Sequence, residues 1–283
     1  MNHNVKVIIE PEVKITASGV SLKINNEEYV VQEINFDSLF ITAKTGYISI
    51  YALKLLSLKH VSLTFNNLNG TTLYNVIPDY PIPDPDLRIR QYKAYFQNKQ
   101  AIINYLIEEK FKCSNAILDK YGKPKIPLHL PENEFAAIYF SYFTSLLNDY
   151  GYDYYSRRGF YKNFAAKATN RVNALMNFYY GLIEHRLLND IAYRGLDYQL
   201  SFLHIPQYNK ISLAYDLIEP LRANIDDIVL GLAKNRKIRL RDFELQGKGY
   251  YSIKQDAVNR YLKAISPVEA MTSKTVNQFI GML

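Results

Sequence analysis

The sequence predicts an α+β protein, in which a small N-terminal β-rich domain (a sandwich or roll with one helix) precedes a larger all-helical domain. Three observations carry this. Residues 1–77 hold short runs rich in Val, Ile, Thr and aromatics. Residues 78–86 hold a cluster of prolines. Residues 87–283 hold long stretches whose apolar positions recur with helical spacing.

The strand-like runs are "VKVII", "GVSLKI", "EYVVQEI", "SLFITA", "VSLTF" and "TTLYNVI", bounded by Gly, Asn and Asp. Between them, "YISIYALKLLSLKH" places Ile48, Tyr51, Ala52, Leu55, Leu56 and Leu58 at helical spacing, so one helix precedes the last strands. In "PDYPIPDPD" four prolines lack a backbone donor and restrict the residue before them, which makes a stiff, extended linker. Beyond it, "DLRIRQYKAYFQNKQAIINYLIEEKF" is helical with Asp86 as its cap, and "ENEFAAIYFSYFTSLLN" starts a helix at Pro131. "NRVNALMNFYYGLIEHRLLNDIAYRG" is a long apolar helix ended by Gly195 in the left-handed conformation. "SLAYDLIEPLR", "IDDIVLGLAK" and "SIKQDAVNRYLKAI" continue the helical pattern. No strand is expected after residue 90, and no solenoid repeat or low-complexity tail is present.

The chain has 283 residues, 48% of them apolar, which suffices for a sizeable core. No run approaches the ~20 apolar residues of a membrane span. The start, "MNHNVKVIIEPEVKI", lacks the features of a signal peptide, so a soluble cytoplasmic protein without a membrane partner is expected. The single cysteine, Cys113, excludes an intramolecular disulfide and a multi-cysteine metal site, and in "FKCSNAIL" it reads as a helix-edge hydrophobe. A net charge of +7 favours a polyanionic partner, nucleic acid or phospholipid. Lys234, Arg236, Lys237, Arg239 and Arg241 crowd into "AKNRKIRLR", which suits either a solvated helix end or a phosphate-contacting patch. The 25 tyrosines, with no tryptophan, must largely serve cores and interfaces and do not mark a base-stacking surface.

The chemistry concentrates in "GLDYQLSFLHIPQYNKISLAYDLIEPLR". His204 sits in an apolar run, and Asp216 and Glu219 lie one turn apart on a following helix that Pro220 bends or ends. Ionisable groups among apolar residues are costly unless paired, hydrogen-bonded or metal-bound. One imidazole with carboxylates suits manganese or magnesium better than structural zinc. A satisfied core histidine and a solvated helix edge account for the same pattern.

The run from Asn173 to Arg222 resembles the central signature of the CRISPR-associated integrase–endonuclease family that captures new spacers. The matching residues are Asn173 to Asn177, Gly195 to Asp197, Ser201 to His204 and Ser212 to Arg222. "GYISIYALKLLSLKHVSLTF" and "RIRQYKAY" are similar to further segments of that family. Ser201 and Asn133 stand where the family has glycine, and "FAAKATNRVNAL" lacks the usual Pro-Pro and Asp. The resemblance implies a Mg2+ or Mn2+ site of Glu132, His204 and Glu219. Asp216 joins the catalytic set as a further ligand or an orienting group, and Glu134 is the alternative to Glu132. It also implies a homodimer formed through the N-terminal domain, assembling with a small ferredoxin-like CRISPR-associated partner on double-stranded or branched DNA. The implied activity is endonuclease cleavage, integration by 3′-hydroxyl attack on a phosphodiester, and the reverse disintegration. The other reading is a catalytically degenerate nucleic-acid-binding assembly subunit, against which the intact His204, Asp216 and Glu219 argue.

Overall fold

The computed structural model describes residues 5–66, 72–78, 85–152, 154, 168, 170–207, 210–246 and 250–283. The N-terminal part contains β1 (Val5–Ile9), β2 (Glu12–Ser18), β3 (Ser21–Ile24), β4 (Glu27–Val30), β5 (Ser38–Thr42), β6 (Thr45–Ile48), helix α1 (Ile50–Leu58), β7 (Ser62–Asn66) and β8 (Thr72–Val76). They form two four-stranded sheets, ordered β1-β5-β7-β8 and β4-β3-β2-β6. Ile15, Leu22, Leu39, Ile41, Leu56 and Leu63 fill the core of this domain. Two strands were not expected from the sequence, β2 and β6. Ile48 belongs to β6, because Ser49 caps the helix by accepting from the Ala52 N–H, and α1 begins only at Ile50.

The helical part comprises α2 (Pro85–Gln97), α3 (Lys99–Lys120), α4 (Glu132–Asp149), α5 (Arg171–Tyr193), α6 (Ser212–Ile218), α7 (Arg222–Lys234), β9 (Phe243–Gln246), β10 (Tyr250–Ile253) and α8 (Gln255–Ile280). The β9–β10 antiparallel hairpin corrects the all-helical expectation. Its strands have four residues each, and Phe243 and Ile253 anchor them in the helical core, so packing rather than length stabilises them. Residues 79–84 of the expected linker lie outside the described residues. Pro85 opens α2, so Asp86 is not its cap; it sits in the first turn, where a carboxylate complements the positive helix end. Fifteen of the 23 residues of α5 are buried, which makes it the axis of the domain.

Strand β5 is buried on both faces, in keeping with its unbroken "SLFIT" pattern. Leu39 and Ile41 point into the sandwich, whereas Phe40 joins the helical core and meets Phe178 and His185 edge-on. Gly181 lies beneath the Phe40 ring, where a Cβ would make an ordinary contact at 3.5 Å. The seam is otherwise polar. His185 bonds Thr64 and lies 3.1 Å from the Ser62 hydroxyl; Asn189 donates to Ser62 Oγ at 2.6 Å; Arg186 pairs with Asp37. Burial, then the neighbouring Arg186 charge, holds the His185 pKa down at about 3. Gln255 at the start of α8 satisfies the edge of β1, accepting from Ile9 N at 2.5 Å and donating to Val7 O at 3.2 Å. These bonds fasten the two domains together.

Candidate active site

Helix α5 closes with paired bonds from Gly195 N to Ala192 O (3.0 Å) and Leu196 N to Ile191 O (3.1 Å), with Gly195 at φ +77°. This geometry suits glycine, and the chain leaves the helix sharply. Helix α2 then clamps the emerging loop. Arg88 donates to Gly195 O at 2.9 Å. Gln91, fully buried, donates to Asp197 O at 2.9 Å and accepts from Asp197 N at 2.8 Å. Phe202 anchors the next turn against Phe279 and Tyr95, with ring centroids 5.4 and 5.7 Å away.

His204 is held by Asp216. The fully buried Asp216 carboxylate accepts from Phe202 N (2.5 Å) and Leu203 N (2.9 Å) on one oxygen. Its other oxygen accepts from His204 N (2.9 Å) and from the His204 Nδ1–H (2.7 Å). Ser201 Oγ donates to His204 O at 2.7 Å and closes the turn. With Nδ1 engaged, the tautomer is set and Nε2 faces outward from a side chain 44% exposed. The bond to Asp216 raises the His204 pKa against the opposing effect of burial, and the nearby Glu219 charge adds to the rise.

Glu219 follows at the join of α6 and α7. Pro220 has no N–H to continue the α-helical ladder, so residues Glu219–Leu221 form a 3-10 turn before α7 begins. The buried Glu219 side chain carries one cation on each oxygen. Arg222 Nε bonds Oε1 at 2.7 Å, while Lys110 Nζ lies 2.7 Å from Oε2 without hydrogen-bond alignment. Burial opposes ionisation, but the charges of Arg222 and Lys110 outweigh it and hold the Glu219 pKa at about 2. Lys110 also donates to Glu132 Oε1 at 2.6 Å. The adjoining rings of Phe111 and Phe135 stack at 3.7 Å, which sets α3 against α4 and brings Lys110 and Glu132 together. Behind them, Tyr139 and Tyr180 donate to the buried Asp226 at 3.0 and 2.8 Å, tying α4 and α5 to α7.

The structure therefore joins His204 to Asp216 and, through Lys110, Glu132 to Glu219, with the Glu219 charge close enough to act on His204. Glu134 is exposed. Asp216 has both oxygens occupied by the His204 turn, the geometry of an orienting group. Sequence reasoning missed Lys110 altogether, and it gave Arg222 only as the end of a motif. Among the described residues no three carboxylate, imidazole or thiol groups already surround a single point suited to a metal ion. The donor set nevertheless fits a hard divalent cation. It has two carboxylates, one of them buried and ionised with an oxygen lacking an aligned donor, and an imidazole whose Nε2 makes no hydrogen bond among the described residues. Lys234, Arg236, Lys237, Arg239 and Arg241 are all exposed, and among the described residues none forms an ion pair. No helix among the described residues is long and apolar enough to cross a membrane.

Residues 127–266, which include Glu132, His204, Asp216 and Glu219, match the model of the family described as CRISPR associated protein Cas1. The "CRISPR-associated endonuclease Cas1 3" of Thermus thermophilus is 24% identical over 283 residues, covering 91% of this chain and 82% of that protein. Among solved structures, a casposase bound to integration product superposes with a TM-score of 0.79 at 24% identity, over 95% of this chain and 82% of that one. A Cas1 protein from Thermotoga maritima gives a TM-score of 0.80 at 16% identity, over 97% of this chain and 95% of that one.

Proposed function

Because the chain belongs to the family of CRISPR-associated protein Cas1, we propose that it is a divalent-metal-dependent DNA endonuclease and integrase that inserts new spacer DNA into a CRISPR array. The observation that carries this reading is the His204–Asp216 pair, with Nε2 free, beside the ionised Glu219 and the Lys110-linked Glu132. Glu132, His204 and Glu219 would hold Mg2+ or Mn2+. When bound, such an ion supplies Lewis-acid polarisation of a phosphodiester and neutralises the charge that develops on it.

The chain's own residues prepare this. Asp216 holds the His204 proton on Nδ1, so that in the neutral imidazole the lone pair lies on Nε2. Arg222 keeps the Glu219 carboxylate charged although it is buried. Attack by water cleaves a strand, leaving one fragment with a phosphate and the other with a hydroxyl. Attack by a DNA 3′-hydroxyl joins that strand to one fragment and releases the other as an alcohol. Disintegration is the same exchange run backwards. Assembly as a homodimer with a small ferredoxin-like CRISPR-associated protein on double-stranded or branched DNA belongs to this reading and is supported by family membership.

The test is incubation with a branched DNA that carries a free 3′-hydroxyl flap, with and without Mn2+. A strand-transfer product that requires the metal is expected. Binding of the DNA without any product, in either metal condition, would contradict the reading.

A further inference from the structure

Lys110 joins the two glutamates of the site. Its ammonium, on a side chain only 17% exposed, lies 2.6 Å from Glu132 Oε1 and 2.7 Å from Glu219 Oε2. Two carboxylates that converge without a cation between them repel, and Lys110 is the cation that lies between these two. Arg222 cannot be that movable cation. It is bound to Glu219 Oε1 from the same chain segment, its guanidinium lies 4.9 Å from the centre of the Tyr180 ring, and Glu184 adds to its electrostatic hold. Lys110 differs on each count. It comes from another helix on a flexible stem, and its contact with Glu219 lacks hydrogen-bond alignment. It also occupies the oxygens that a metal ion would need.

Charge points the same way. Lys110 has the same sign as the incoming ion, so retention of its ammonium between the two carboxylates would set it against the metal in a close like-charge contact.

Resting on the metal-site reading above, we propose that Lys110 is a positioning residue, a resident counter-cation that keeps Glu132 and Glu219 together before the metal arrives and is exchanged for it. The metal-free site is thereby preformed, and the affinity for the ion is lowered, because each binding event must first displace the lysine. A merely structural lysine makes the opposite prediction, since its removal would disorganise the ligands and weaken metal binding.

The experiment uses the full chain and Mn2+ alone, followed by calorimetric titration and by thermal melting in EDTA and in Mn2+. Lys110→Met is expected to bind Mn2+ about tenfold more tightly than wild type, or about 1.4 kcal/mol. Its metal-free form should melt lower and its metal-induced rise in Tm should be larger. Lys110→Arg, which keeps a cation in place, should bind no more tightly than wild type. If Lys110→Met does not fold, Lys110→Gln, a neutral donor to both carboxylates, takes its place with the same expectation. Equal or weaker Mn2+ binding by the neutral variant overturns this proposal alone, as does tighter binding by Lys110→Arg. Absence of Mn2+ binding in the wild type overturns the metal-site reading and this proposal with it.

Discussion

Replacing Asp216 by Asn leaves the size of the side chain nearly unchanged and removes half of its accepting capacity. Four donors converge on the two oxygens: Phe202 N, Leu203 N, His204 N and His204 Nδ1, at 2.5 to 2.9 Å. Whichever way the amide is turned, two of the four then face an NH2 group. Water cannot relieve this, because Asp216 is fully buried. A hydrogen bond to a charged group contributes about 1.5–3 kcal/mol, so two of them set the loss of stability at about 3–6 kcal/mol. The His204 tautomer is also released, which should weaken Mn2+ binding about 10- to 100-fold. The assays are chemical denaturation of the metal-free chain and calorimetric Mn2+ titration. His204→Ala is the control. It removes a side chain that is 44% exposed and leaves Asp216 its three backbone donors. Its stability should fall by about 1.5–3 kcal/mol, the one charge-assisted bond lost, which is less than for Asp216→Asn, while metal-dependent cleavage and strand transfer disappear. If Asp216→Asn kept wild-type stability and Mn2+ affinity, the carboxylate would not be what holds the turn, and the reasoning would be refuted.

Three further outcomes are expected. Glu132→Gln should abolish cleavage and Glu134→Gln should leave it nearly intact, because only Glu132 adjoins Lys110 and Glu219; equal, mild effects in a nuclease assay would place the acid elsewhere. Alanine at Lys234, Arg236 and Lys237 should weaken binding to two unrelated duplexes alike and flatten log affinity against log salt by up to ~3 units. An unchanged salt slope would make that run ordinary solvated surface. His185 is kept neutral, with a folded pKa of about 3, whereas an unfolded chain gives about 6.5. Its contribution is therefore complete above the unfolded value and is lost as pH falls from there toward the folded one, at about 1.4 kcal/mol per pH unit. His185→Gln should lower stability at pH 8 but flatten the decline between about pH 6.5 and 5 in urea titrations; parallel wild-type and variant curves would refute the assignment.

The α+β organisation was legible because each domain repeats its own period, and the helical spacing of residues such as Phe135, Tyr139 and Phe143 reports burial directly. The missed strands, β2 and β6 in the first domain and the hairpin in the second, show where local pattern stops. Ile48 satisfies a helical spacing as well as a strand, and only the Ser49 cap, seen in three dimensions, divides β6 from α1. Strand β2 alternates exposed and buried positions, yet its Glu12 and Lys14 dilute the apolar signal. The β9–β10 hairpin depends on Phe243 and Ile253 reaching a core built by other helices, which no four-residue window contains. At the site, the His204, Asp216 and Glu219 spacing suggested chemistry, but the residues by themselves favoured a core histidine, and the metal assignment came from the family resemblance. What no spacing could show is the set of three backbone bonds to Asp216, which make it the support of a half-exposed imidazole. Lys110 had no sequence signal: it is 22 residues from Glu132 on a different helix, and a lone lysine in "IEEKFKC" resembles any solvated helix face.

The central claim, that Glu132, His204 and Glu219 bind one divalent ion, is tested most directly by crystals of the full chain grown with Mn2+ and measured at wavelengths where manganese scatters anomalously. The account predicts a single strong anomalous peak about 2.0–2.3 Å from His204 Nε2 and from a carboxylate oxygen of each of Glu132 and Glu219, with the Lys110 ammonium withdrawn from both. A fully occupied peak elsewhere, or none at this site with Lys110 still bridging the two glutamates at saturating Mn2+, would contradict it.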